Sequence, residues 1–123
     1  FAAALFLQML LGGAVSIYYG DELGMSGGED PANRGAMAWK EQNDEIKALY
    51  ISMIRFKKEH RGEMNVTEMR VQDGVLCLTF SGGDYTVYIA EPGGKKHFAV
   101  PDGMRLRFGD AQLSRGYALF ERG

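Results

Sequence analysis

Cysteine is nearly absent from this sequence, and histidine, proline and tryptophan are scarce. The single Cys77 has no internal partner, which excludes a disulfide framework. Its neighbours Val75, Leu76 and Leu78 have the character of a buried strand, so the thiol is read as a packed side chain and not a reactive one. The only histidines, His60 and His97, are far apart and lack a ligand pattern, so no metal and no cofactor is expected. An excess of either charge is also missing: 14 Lys and Arg face 16 Asp and Glu, a net charge of -2. So small a charge gathers neither phosphates nor anionic lipid, and neither nucleic acid nor a membrane is an expected partner. The first apolar run is interrupted by Gln8, Gly12-Gly13 and Ser16, short of the roughly 20 residues that a membrane span needs. A basic leader with a small-residue cleavage site is not seen, which together with the lone cysteine is compatible with a cytoplasmic protein.

What is present is a chain of 123 residues, 46% hydrophobic, enough for one domain or for a small domain plus part of another. Phe1 stands inside an apolar run with no polar leader or N-cap before it, so the natural start is expected to lie upstream. Phe1 to Leu11 is rich in Ala and Leu, apolar nearly all round and followed by Gly12-Gly13, as a covered helix with a glycine C-cap is. Ala14 to Tyr19 is short, apolar and partly β-branched, and reads as a fully buried parallel strand. Helix, turn and strand in this order suggest a slice of an α/β layer. From Gly20 to Trp39 the residues are dense in Gly, Asp, Asn and Pro without a sustained period, a long loop of the kind that usually carries function. Asn43 then caps a helix with Asp44 and Glu45 in its first turn and an Ile46, Leu49, Tyr50, Met53, Ile54 stripe. Lys57, Lys58 and Arg61 suit its negative end, and Gly62 stops it.

After Met64 the period changes from helical to alternating. Val66 to Val71, Val75 to Phe80, Tyr85 to Ala90, Lys96 to Val100, Met104 to Phe108 and Tyr117 to Glu121 are predicted strands. Asp73-Gly74 and Gly82-Gly83-Asp84 are hairpin-turn sequences between the first three. An antiparallel sheet or small sandwich of about six short strands is the expected result.

The string SIYYGDELGMSGGEDPANRGAMAW, Ser16 to Trp39, resembles the stretch of glycoside hydrolase family 13, the α-amylase family, that spans the eighth barrel strand and the loop after it. It is most similar to the cyclomaltodextrinase, neopullulanase and oligoglucosidase branches, in which a YYGDE-type strand end precedes a Gly-Gly-x-Asp-Pro-x-x-Arg loop and a Met-x-Trp. The family continues with a long amphipathic helix and an antiparallel β-domain, the order read above. One departure is that Gly35 and Ala36 follow Arg34, where many relatives have a second basic residue. The resemblance implies an α+β chain: the last strand and helices of a (β/α)8 barrel, residues 1–62, followed by a small antiparallel β-sandwich domain, residues 63–123.

Retaining glycosidases need two carboxyl groups about 5 to 5.5 Å apart. Asp21 and Glu22, read as neighbours on an extended segment, point to opposite faces and cannot flank one bond. By the resemblance, the nucleophile, the acid/base and the stabilising Asp lie on earlier barrel strands, so no catalytic residue is expected here and the fragment alone is expected to be inactive. The resemblance assigns substrate binding to Asp30 and Arg34, whose charged groups suit sugar hydroxyls. The plain alternative is a loop-stabilising ion pair. Tyr18 and Tyr19 are expected as barrel core, Asp21 and Glu22 as anchors for loop amides or basic neighbours, and Trp39 as packing that pins the loop.

Three functions stay open on these residues. The parent hydrolyses α-glucosidic bonds in maltodextrin-like oligosaccharides; or it is a transglycosidase or isomerase on the same scaffold; or the sheet is a non-catalytic carbohydrate-binding or assembly module. Against the last, Phe80, Tyr85, Tyr88, Phe98, Phe108, Tyr117 and Phe120 fall largely in core-facing positions. An oligosaccharide is the expected partner of the parent. With barrel neighbours absent, the apolar segment Phe1 to Tyr19 is expected to drive oligomerisation or domain swapping.

Overall fold

The computed structural model describes residues 1–40, 42–60 and 64–123. The chain forms two compact units, one of Phe1–Gly12 with His60–Gly123 and one of Gly13–Glu59. The expected boundary at 62–63, the helix stop at Gly62 and the basic Arg61 lie outside the described residues.

The first unit is built on a five-stranded antiparallel sheet, β1 (Val66–Gln72), β2 (Val75–Phe80), β3 (Tyr85–Ile89), β4 (Met104–Gly109) and β5 (Tyr117–Arg122). The order across it is β1-β2-β3-β5-β4, so the first three strands are hairpin neighbours and β5 returns between β3 and β4. The turn at Asp73-Gly74 takes left-handed values at both residues, φ 50° and 73°, as a tight hairpin requires. Register aligns Leu76, Leu78 and Phe80 with Val71, Met69 and Val66 on one side and with Ile89, Val87 and Tyr85 on the other. A bulge between Val66 and Glu68 brings Val66 onto this apolar face.

Helix α1 (Ala2–Leu10) belongs to this unit. It buries Leu5, Phe6, Met9 and Leu10, and the Phe6 ring stacks on Tyr117 at 4.7 Å and meets Phe108 edge-on at 6.2 Å. Each such side chain removed from water contributes about 1.5–3 kcal/mol. The helix ends at Leu10, before Gly12, and Gly13 takes φ 94°.

On the opposite face Val75, Cys77, Tyr88, Ala90, Leu113, Ala118 and Phe120 form a core with Phe98 and Met104 against it. Cys77 is a buried free thiol on β2, as its neighbours implied. The sixth predicted strand is not one. Lys96 to Val100 runs irregularly over this face, with Phe98 4.3 Å from the Tyr88 ring and the Tyr88 hydroxyl donating to the Ala99 carbonyl at 2.6 Å. β2, β3 and β5 already have neighbours on both sides, so these apolar residues serve as a lid on the sheet and not as another ladder. For the same reason the described fold is a single sheet covered by a loop and a helix, not a two-sheet sandwich.

Two close approaches hold the β5 region. Gly109, at φ 81°, lies against the Tyr117 carbonyl and Ala118, and Gly116, at φ 86°, lies against the Ala90 carbonyl and Pro92. Asp110 organises the turn between β4 and β5: its Oδ1 accepts the amides of Gln112 and Ser114 at 3.0 Å, and its Oδ2 accepts the Arg115 amide at 3.1 Å and the Ser114 hydroxyl at 2.9 Å. Partial burial acts to raise this carboxyl, but the donors from Ser114, Arg115 and Gln112 outweigh it and hold the group below its ordinary range.

In the second unit, helix α2 (Asp44–Glu59) starts as read: the Asn43 Oδ1 accepts the Ile46 amide at 3.1 Å, and Lys57 and Lys58 occupy the last turn. Its buried residues are Tyr50, Met53 and Phe56, the last outside the predicted stripe. Ala14 to Tyr19 is not a strand among the described residues; Ile17, Tyr18 and Tyr19 are exposed. A buried parallel strand needs ladder partners on its flanks, and the described strands all belong to the antiparallel sheet of the other unit. No helix among the described residues is long and apolar enough to cross a membrane.

Candidate functional site

The loop from Gly20 to Trp39 is held at its root by local bonds. Gly20 sits at φ 90° and Gly24 at φ 74°, bracketing a 3-10 turn, Asp21–Leu23. Met25 folds back over Gly20, its Sδ accepting the Ala38 amide at 3.4 Å, and the Asn43 amide donates to the Leu23 carbonyl at 3.0 Å. The two ends of the loop are thereby tied together ahead of α2.

Asp21 and Glu22 therefore lie on a turn and not on the extended segment expected, because left-handed glycines on both sides curl the backbone. Glu22 anchors a loop amide, accepting the Gly20 N–H at 2.9 Å. Tyr50 on α2 is affected by both acids: burial pushes its phenol up, and the charges of Asp21 and Glu22 add to the rise. Glu22 is thus engaged by its own turn.

Beyond the root, Gly27 packs closely on the Asn33 backbone, the Asp30–Pro31 peptide is cis, and Ala32–Arg34 form a second 3-10 turn. This turn brings Asp30 and Arg34 together: Arg34 Nη2 donates to Asp30 Oδ2 at 3.3 Å, with the Arg34 side chain 70% and the Asp30 side chain 62% exposed. An exposed pair of this kind contributes only about 0–1 kcal/mol. Both groups keep free hydrogen-bonding capacity toward water, or toward a polyol in its place.

The aromatic residues near the loop lie differently from expectation. Tyr18 and Tyr19, expected in a core, are exposed, their rings 4.8 Å apart, and the Tyr19 hydroxyl donates to the Gly35 carbonyl at 2.9 Å. Trp39, expected to pin the loop by packing, is 71% exposed, and its carbonyl rather than its ring is engaged, by the Gln42 side-chain amide at 2.8 Å.

Sequence reasoning missed a hollow of about 490 Å³ lined by Leu23, Gly24, Met25, Ser26, Ala38, Lys40, Gln42 and Asn43. Asp30 and Arg34 do not line it. Apart from Ser26, its polar side chains come from the lead-in to α2, where Lys47 Nζ bonds Gln42 Oε1 at 2.7 Å; the signal was the polar run after Trp39. Among the described residues no group of three His, Cys, Asp or Glu is placed to hold a metal ion.

No protein-family model matches the chain. It is similar to a cyclomaltodextrinase of Geobacillus thermopakistaniensis, 43% identical over 88 residues, which is 67% of this chain and 15% of that protein. Among solved structures it is similar to a cyclic α-maltosyl-(1→6)-maltose hydrolase from Arthrobacter globiformis, at 29% identity and TM-score 0.61, covering 76% of this chain and 22% of that one. A maltogenic amylase from S. marinus shares the fold at 21% identity and TM-score 0.70, covering 98% of this chain and 19% of that one. The chain thus spans less than a quarter of the length of each of these proteins.

Proposed function

Proceeding from a chain that belongs to the α-amylase family, we propose that it forms the C-terminal part of a retaining glycosidase. The whole enzyme cleaves α-glucosidic bonds in maltodextrin-like oligosaccharides. In this reading residues 1–62 complete a (β/α)8 barrel and the sheet is its C-terminal β-domain. Ala14 to Tyr19 becomes a ladder strand once barrel strands flank it, and Ile17, Tyr18 and Tyr19 are covered there.

The observation that carries the proposal is the exposed Asp30–Arg34 pair, in a loop with the family's Gly-Gly-x-Asp-Pro-x-x-Arg spacing. Loops at the C-terminal ends of barrel strands build the active site in such folds. There the Arg34 guanidinium donates to sugar hydroxyls while Asp30 orients it and accepts from them. The reacting carboxylates come from other strands, so the isolated chain releases no glucose from maltotriose.

Arg34→Ala in the full-length enzyme tests this. Loss of charge-assisted bonds of about 1.5–3 kcal/mol predicts a kcat/KM on maltotriose lowered about 10- to 100-fold. The melting temperature stays nearly unchanged, because an exposed ion pair contributes so little. Unchanged kcat/KM would leave Asp30 and Arg34 as loop structure only.

A further inference from the structure

The two edges of the sheet differ in a way that bears on association. β1 is an edge strand of seven residues, Val-Thr-Glu-Met-Arg-Val-Gln, all of them exposed, with Met69 and Val71 at 69% and 71%. It carries neither Lys nor Pro, two of the usual devices that keep an edge from pairing. β4, the other edge, carries Arg105 and Arg107 around Leu106. Both of those guanidiniums reach Glu121, at 2.9 and 3.8 Å.

Antiparallel self-pairing about a twofold axis sets residue against residue in a fixed sum, so the charge pattern of an edge decides whether it accepts its own copy. For β4, a twofold at Leu106 sets Arg105 against Arg107 of the second copy, like against like. For β1, a twofold at Met69 sets Glu68 against Arg70 of the second copy and Arg70 against Glu68, two opposite-charge pairs. Centring instead on Glu68 or on Arg70 opposes like charges across the axis. Of these three centres only Met69 brings opposite charges together. This register also sets Met69 against Met69 of the second copy, on the side where β2 presents Leu78.

We propose that β1 is a homodimerisation edge, pairing with β1 of a second copy of this chain in the register centred on Met69. The regular ladder of β1 runs from Glu68 to Gln72, bounded by the bulge at its start. So short a contact is smaller than a standard interface, and the dimer is a weak one.

Sedimentation velocity over about 10 to 500 µM, the range suited to a weak contact, reads the outcome. The wild-type chain is expected to move from 13.6 kDa toward twice that mass. Glu68→Arg or Arg70→Glu alone turns both cross-strand attractions into repulsions and weakens the dimer about tenfold or more. The double variant E68R/R70E restores opposite charges across the axis and recovers the dimer. Met69→Arg, at an exposed position, places two cations on the axis and is a second dissociating variant; far-UV circular dichroism confirms that each variant is folded. A wild-type chain that stays monomeric overturns the proposal. So does a dimer indifferent to the single swaps, which would belong to the Ile17 to Tyr19 surface, or a double variant that fails to recover.

Discussion

The sheet unit and the loop-and-helix unit bury their apolar residues very differently. In the first, Phe80, Val87, Leu113, Ala118 and Leu119 are fully buried, and a helix and a loop cover the two faces. In the second, α2 buries Tyr50, Met53 and Phe56 on one face, while the segment before it leaves Ile17, Tyr18, Tyr19 and Trp39 exposed. The difference teaches that the sheet holds its own form by ladder and core, whereas the loop segment is held mainly by local hydrogen bonds at its root.

The largest effect expected from this contrast is at glycine. Gly109→Val puts a β-branched residue at φ 81° and drives its Cβ into the Tyr117 carbonyl, so strain and overpacking together remove about 3 kcal/mol or more. Gly28→Ala, in open space within the loop, is expected to stay within about 0.5 kcal/mol. Urea denaturation of both variants sharpens the comparison, and equal losses would break it.

A smaller effect belongs to Asp110. Its folded-state value lies below the ordinary 3.8, so its contribution is fully present above that pH and is lost as pH falls through the lower folded value. Asp110→Asn is expected to destabilise the sheet unit by about 1–2 kcal/mol at neutral pH, the scale of hydrogen bonds to a charged group. The deficit fades under strong acid. Denaturation midpoints across pH 2 to about 7 check it, and a deficit independent of pH would remove the charge from the explanation.

Much of the sheet unit was legible in the sequence, because alternation and turn chemistry are local. β2 occupies Val75–Phe80 as read, and Asp73-Gly74 makes the hairpin it announces. Asn43 likewise caps α2 through a side chain three residues from its target. Lys96 to Val100 misled because a strand-like composition also suits a lid, and only the pairing of β3 with β5 shows that no position beside β3 is left for it. Ala14 to Tyr19 misled for a related reason: an apolar run states that something covers it without stating what. In the loop, the spacing of Asp30 and Arg34 was readable and the turn does bring them together, but the exposure of Trp39 and the hollow beside Lys40 depend on how the loop's ends are tied, which no periodicity records.

Hydrogen exchange resolved by residue tests the contrast most directly. The account predicts that amides of β2, β3 and β5 exchange only on global unfolding, while those of Ala14 to Tyr19 in the isolated chain exchange orders of magnitude faster through local opening. Protection of Ala14 to Tyr19 equal to that of β3 would contradict it.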